Sequence, residues 1–241
     1  MKIGIFQVGK APDELIDLYG SYSKMFVALL SGKGCAIDFR TYEAWNGELP
    51  QDIDECEGWI ITGSKHGVYE EHSWISKLSR LIIDIYRAKQ PLVGICFGHQ
   101  IIAQALGGVV EKSNKGWGIG LDTYALDNKA DWMVDVGDEI TLNIIHQDQV
   151  IEVPKGAVVY ASSDFCKNAG FYINDNILTI QGHPEFLVEF TAKILALRSA
   201  LTIPKEVVEP ALVQLDRHGE GVGSQDFGAM ICQFFRSSLA E

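Results

Sequence analysis

The stretch Pro91 to Leu106, P-L-V-G-I-C-F-G-H-Q-I-I-A-Q-A-L, constrains the fold most. It demands a buried strand that turns sharply into a helix with one cysteine at the corner. Leu92 to Ile95 is a short apolar run after a proline, and Ile101, Ile102, Ala105 and Leu106 recur at helical spacing before Gly107-Gly108 ends the helix. Gly94 and Gly98 stand two residues to either side of Cys96, where a tight strand-to-helix turn brings backbones too close for side chains. Such a turn strains its central residue by about 1 to 3 kcal/mol and persists only where the fold enforces it. It also sets the sulfur at a helix N-terminus, where unpaired N–H groups and the helix dipole favour an anion. A free thiol, with a pKa of about 8.5, is only slightly ionised at neutral pH, whereas this setting and a nearby imidazolium can lower the pKa to roughly 3.5 to 7.5. Two readings of Cys96 stand at this point: a nucleophile, or a small core residue beside packing glycines.

The segments around this corner read as alternating strands and helices. Lys2 to Phe6 is a short apolar strand, with Gly4 marking a close approach. Tyr22 to Leu30 places Met25, Phe26, Leu29 and Leu30 on one helical face, Ser31-Gly32-Lys33-Gly34 stops it, and Cys35 to Phe39 reads as a second strand. This β-α-β start points to a right-handed crossover and a parallel sheet. Trp45 to Glu57 is a polar loop into a third strand, Gly58 to Ile61, and Ser73 is an expected N-cap for a helix running to about Lys89 with Ile75, Leu78, Ile82 and Ile85 inward. Later strands are expected at Val109-Val110, Ile119 to Leu126, Ile140 to Ile145, Ala157 to Ala161, Ala169 to Ile173 and Ile177 to Gln181. Asn174-Asp175-Asn176 is a hairpin turn, so the last of these are expected to be antiparallel. Helices are expected over Phe186 to Ala200, Glu206 to Asp216 and Phe227 to Leu239, the last two divided by a loop at Gly219 to Ser224 and forming an extension at about 204–241. One domain over 1–241 is the expectation for an α/β chain of this length.

With 20 basic against 32 acidic residues the formal charge is −12, which argues against nucleic acid or an anionic membrane as the main partner. The apolar run at the N-terminus is too short for a signal peptide and no stretch approaches bilayer length, so the default expectation is cytoplasmic. Five cysteines at wide spacings without C-x-x-C pairs fit neither a disulfide scaffold nor a zinc site, and are expected to be free thiols. No H-E-x-x-H, paired-ligand spacing, phosphate loop or dinucleotide fingerprint occurs, so neither a metal nor a cofactor is expected.

A cysteine nucleophile needs a base, and the base a group to orient it. His183 is the best candidate among six histidines. Pro184 keeps it extended, and residues two apart in an extended stretch project to one side, which sets Glu185 beside the imidazole. The carboxylate then fixes the Nδ1–H tautomer and turns Nε2 toward sulfur. Alone, H-P-E also fits a strand exit with a helix-start acid. His99 sits in the first turn of the elbow helix and reads as a supporting or packing residue, His66 and His72 lie in a polar stretch and read as solvated, and His218 gives no signal. The loop Thr62-Gly63-Ser64-Lys65-His66-Gly67 follows the third strand at the sheet edge where α/β folds bind ligands. Backbone N–H groups of Gly63 or Ser64 there suit a negative oxygen, and an ordinary turn is the other reading.

Together, G-I-C-F-G-H-Q at 94–100 and G-H-P-E-F at 182–186 resemble the class I glutamine amidotransferases, in particular stand-alone members similar to the glutaminase part of GMP synthase. The resemblance runs from the N-terminal strand to about residue 190. It implies an α/β, flavodoxin-like fold with a mostly parallel twisted sheet flanked by helices and a small antiparallel portion. It implies Cys96 as nucleophile, His183 as general base and acid, and Glu185 as its orienting partner. An oxyanion hole would come from the N–H of Phe97 and one from Gly63-Ser64, where T-G-S replaces the G-G-P common in the family. Gln100 and the Gln147-Asp148 backbone would lie near the substrate's amino-acid end. The implied chemistry is hydrolysis of a γ-glutamyl amide through a thioester, either as a glutaminase passing ammonia to a synthase subunit or as a self-sufficient hydrolase of γ-glutamyl peptides or amines. A non-catalytic subunit that keeps the fold is the remaining reading.

Overall fold

The computed structural model describes residues 1–32, 35–199, 201–217 and 222–239. His218, Lys33-Gly34 of the first stop signal and part of the 219–224 loop lie outside the described residues. In chain order the strands are β1 (Lys2–Phe6), β2 (Asp38–Tyr42), β3 (Gly58–Ile61), β4 (Leu92–Ile95), β5 (Val109–Lys112), β6 (Gly118–Leu126), β7 (Glu139–His146), β8 (Asp148–Glu152), β9 (Val158–Ser162), β10 (Gly170–Ile173) and β11 (Ile177–Ile180). The helices are α1 (Asp13–Tyr19), α2 (Tyr22–Leu30), α3 (Ser73–Arg87), α4 (Phe97–Ala105), α5 (Val188–Arg198), α6 (Lys205–Asp216) and α7 (Ser224–Ser238).

One sheet runs in the order β2-β1-β3-β4-β11-β10-β9-β6-β7, and β5 pairs with β8 in a separate antiparallel ribbon. Pairings from β2 through β11 are parallel, and from β11 to β7 antiparallel. The fold is therefore α/β, with the parallel strands forming the half of the sheet from edge β2 to β11, the antiparallel strands the half that ends at β7, and helices flanking the sheet. Strands β3, β4 and β11 are buried at every residue, as expected for inner parallel strands covered on both faces. Alternation sends Ile3, Ile5, Ile60, Val93 and Ile95 toward Phe26 and Leu29 of α2 and Phe227, Ile231 and Phe234 of α7. The intervening Phe6, Trp59, Ile61 and Leu92 pack with Leu78, Ile82 and Ile85 of α3 and Ile101 of α4. Gly4 leaves room for the Trp59 ring, which a Cβ there would overlap and which stacks on Phe6 at 4.6 Å.

Several local expectations shift. The second strand lies at Asp38–Tyr42, three residues beyond the apolar run at Cys35, because its register is set by β1 (Lys2 opposite Asp38, Phe6 opposite Tyr42) and an edge strand needs little apolar surface. Ser73 lies inside α3, whose cap is the extended His72 without a side-chain cap bond. Helix α1 gave no periodic signal because Leu15 is its single buried residue. Strand β11 is antiparallel to β10 on one side and parallel to β4 on the other. Cys35 and Cys232 form a disulfide across 197 residues, which corrects the expectation of five free thiols; Cys56, Cys96 and Cys166 are free and buried. Neither partner belongs to a recognisable spacing pattern, so only the packing of α7 beside residue 35 reveals the pair.

Candidate active site

Cys96 is the junction of β4 and α4, with φ 54° and ψ −102°, a region sparsely populated for any residue with a side chain. The surrounding packing holds it there. Its N–H donates to the Ile180 carbonyl at 2.9 Å, extending the β4–β11 ladder by one bond. A Cβ on Gly94 would lie 2.6 Å from the Gly98 carbonyl oxygen, and one on Gly98 would collide with the Ile61 carbonyl of β3. Both glycines are thus required by backbone, which cannot step aside as a flexible side chain does.

Because β11 is the neighbour of β4, the chain leaving it delivers His183 to the same end of the sheet. The His183 N–H donates to the Asn143 carbonyl at 2.7 Å, and Asn143 Nδ2 donates to the Phe186 carbonyl at 2.9 Å, so β7 holds both ends of the turn. The imidazole Nδ1 is 2.8 Å from Glu185 Oε1, the Phe186 ring stacks on it at 4.1 Å and 3°, and the Cys96 sulfur lies near enough to act on its charge. His183 and Glu185 are both buried. Burial by itself pulls the His183 pKa down, but the Cys96 sulfur and then the Glu185 carboxylate outweigh it and hold the pKa well above the ordinary imidazole range. The structure therefore brings Cys96, His183 and Glu185 into one buried chain of contacts.

The remaining candidates border the same place. Gly63 lies against both groups: a Cβ there would be 2.7 Å from His183 Cε1 and 3.7 Å from Cys96 Cβ. Phe97 opens α4, in the first turn whose amides have no partner within the helix. A cleft of ≈ 360 Å³ is lined by Cys96, Ser64, Gln100, Gln147 and Asp148 together with Lys65, Lys112, Trp117 and Arg198. Gln100 Nε2 donates to the Asp148 carbonyl at 2.8 Å and to Gln181 Oε1 at 3.0 Å, tying α4 to the start of β8. His99 is fully buried, with Nδ1 2.9 Å from the Thr179 hydroxyl, and packs against Phe171 as a supporting residue.

The roles of Asn143, Lys65, Lys112 and Arg198, which come from separate elements, leave no pattern in the sequence, and Phe186 shows there only as the aromatic after H-P-E. His66 and His72, expected to be solvated, are partly exposed and exposed, and both also meet one carboxylate, that of Glu70.

Residues 14–197 match the sequence model of the family described as glutamine amidotransferase class-I, a span that includes the elbow and the H-P-E segment. This chain belongs to the class I glutamine amidotransferases. Among the relatives it is similar to, gamma-glutamyl peptidase 2 of Arabidopsis thaliana is 32% identical over 216 residues, covering 87% of this chain and 86% of that protein. Gamma-glutamyl peptidase 3 of the same plant is 36% identical over 184 residues, 73% of each chain. A solved glutamine amidotransferase from Thermotoga maritima has the same fold, with a TM-score of 0.73 at 20% identity over 100% of this chain and 98% of that one. Helices α6 and α7 lie beyond the family match, yet that structural likeness spans them.

Proposed function

We propose that this amidotransferase-family chain is a self-sufficient hydrolase of γ-glutamyl peptides or amines, working through a γ-glutamyl thioester on Cys96. The observation that carries the reading is the strained Cys96 corner beside an imidazole that is itself hydrogen-bonded to a buried carboxylate. The Cys96 sulfur attacks the γ-carbonyl carbon, and the carbon–nitrogen bond breaks as His183 gives its Nε2 proton to the departing amine. Water then attacks the thioester, His183 takes its proton, and the carbon–sulfur bond breaks to release glutamate and restore the sulfur. Glu185 keeps the Nδ1 proton in place and stabilises the imidazolium in both halves.

The oxyanion donors in this reading are the N–H of Phe97 and that of Ser64. The Gly63 carbonyl accepts from the Thr62 hydroxyl at 3.2 Å and packs toward Gly9, where a Cβ would be 2.9 Å from it. In a trans peptide the following N–H points the opposite way, so a carbonyl turned toward Gly9 and Thr62 leaves the Ser64 N–H for the cleft side. Gln100 positions the Gln147-Asp148 turn, which with the Asp148 carboxylate would hold the amino-acid end of the substrate. The volume of the cleft falls in the range of about 300 to 1,000 Å³ that accommodates drug-sized ligands, and its lining by Lys65, Lys112 and Arg198 suits a leaving group bearing a carboxylate. That favours a peptide over glutamine alone, and relatives named as γ-glutamyl peptidases support the same choice.

The test is glutamate release by the purified chain from L-glutamine, γ-glutamyl dipeptides and γ-glutamyl amines, with Cys96→Ala as control. Turnover of the dipeptides or amines that disappears in Cys96→Ala is expected. Turnover of glutamine alone would instead assign an ammonia donor to a synthase subunit, and no turnover of any of them would refute a self-sufficient hydrolase.

A further inference from the structure

The loop between β3 and α3 holds a second convergence of chemistry-bearing side chains. His66 Nδ1 is 2.7 Å from Glu70 Oε2, His72 Nε2 is 3.0 Å from the same oxygen, and the two ring nitrogens are 3.1 Å apart. Among the described residues this is the group of three His, Cys, Asp or Glu side chains whose ligand atoms all lie within 4.8 Å of one another. With an ionised carboxylate, no arrangement of protons makes all three contacts attractive. If both nitrogens carry hydrogen to reach the carboxylate, two N–H groups confront each other across 3.1 Å. If either nitrogen is bare, its lone pair faces the carboxylate oxygen. A cation inside the triangle turns every one of these atoms into a ligand.

We propose that His66, Glu70 and His72 form a binding site for one divalent ion of the zinc class, with a fourth position open to solvent. Two imidazoles and one carboxylate are a donor set that suits zinc and its neighbours rather than magnesium or calcium. Metal–ligand bonds of about 2.0 to 2.1 Å in tetrahedral geometry require ligand atoms roughly 3.3 Å apart, so the observed triangle needs to widen by only a few tenths of an ångström. The carboxylate is already oriented from behind, since Glu70 Oε1 accepts the Gly67 N–H at 2.7 Å. His72 and Glu70 are both exposed, which gives an ion a way in. The ion would tie residue 66 to residue 72 across the loop that carries Gly63 and Ser64. His66 and Glu70 also line the cleft at Cys96, so the same ion would stand at its rim.

The site is independent of the proposed hydrolysis and is tested by metal alone. Chelator-treated protein titrated calorimetrically with Zn²⁺ is expected to bind one ion per chain with Kd of about 1 µM or below. Cys96→Ala is expected to bind equally well, while His66→Ala, His72→Ala and Glu70→Gln each weaken binding by at least about tenfold. Substituted Co²⁺ is expected to show the visible bands of a tetrahedral nitrogen–oxygen site without the near-ultraviolet sulfur charge-transfer band. His72→Ala, at an exposed helix cap without a side-chain cap bond, is expected to keep the fold, which circular dichroism checks. No saturable binding, binding indifferent to His72→Ala, or binding lost in Cys96→Ala would each overturn the assignment.

Discussion

At the residue scale, the geometry at Cys96 is set by what its neighbours lack. A side chain on Gly98 meets the Ile61 carbonyl, a backbone atom at the end of β3, so Gly98→Ala forces the elbow helix away from the sheet. A urea titration is expected to show a loss of about 1 to 3 kcal/mol, the usual cost of overpacking a full core, and an unchanged midpoint would contradict the account of the corner. Glu185→Gln keeps the shape but offers Nδ1 a group that need not accept its proton, which frees the ring to adopt the wrong tautomer. With the fold intact by circular dichroism, kcat for a γ-glutamyl dipeptide is expected to fall on the order of 10² to 10⁴. These two glycines, the cysteine and the H-P-E segment were legible in the sequence because each is a short pattern with one mechanical meaning. Asn143 and Phe186 were not, because they gain their roles from a strand crossing and a ring stack that only the folded chain creates.

At the element scale, the inner strands and the long helices were legible because continuous apolar runs and helical stripes report burial directly. Edge strand β2 and helix α1 bury little and so print weak patterns, which is why the register with β1, not composition, places β2. The C-terminal helices are legible as helices but their role is not; α7 packs on α2 and buries Phe227, Ile231 and Phe234 in the same core as β1 and β4. The Cys35–Cys232 bond fastens α7 to the segment before β2. Alkylation of the protein after unfolding without reductant is expected to label Cys56, Cys96 and Cys166 only, and labelling of all five cysteines would show that the bond does not form.

At the scale of the whole molecule, the buried histidines couple stability to pH. Burial, with His146 adding to it, pushes His99 down to about 3, and burial, partly countered by the Asp148 carbonyl, brings His146 down to about 4. Their pKa in the unfolded chain is about 6.5, so the unfolded state takes up protons first as pH falls. The stability contributed by the neutral rings is complete above that value and is lost as pH drops toward the folded values. The urea midpoint is therefore expected to fall between about pH 6.5 and 4, and to fall less steeply in His99→Gln; equal slopes would contradict it. His183 has the opposite sign: its raised pKa makes a contribution that is full below the unfolded value and is lost as pH rises through the alkaline range.

In the proposed hydrolysis the γ-glutamyl group passes through the sulfur of Cys96. That step is tested most directly by mixing the protein with a γ-glutamyl dipeptide, quenching in acid within a turnover and reading the mass of the peptide that contains residue 96. An added γ-glutamyl group on Cys96 is the expected result, absent when the quenched protein has not met the dipeptide. Glutamate release that continues undiminished in a folded Cys96→Ala protein would contradict it.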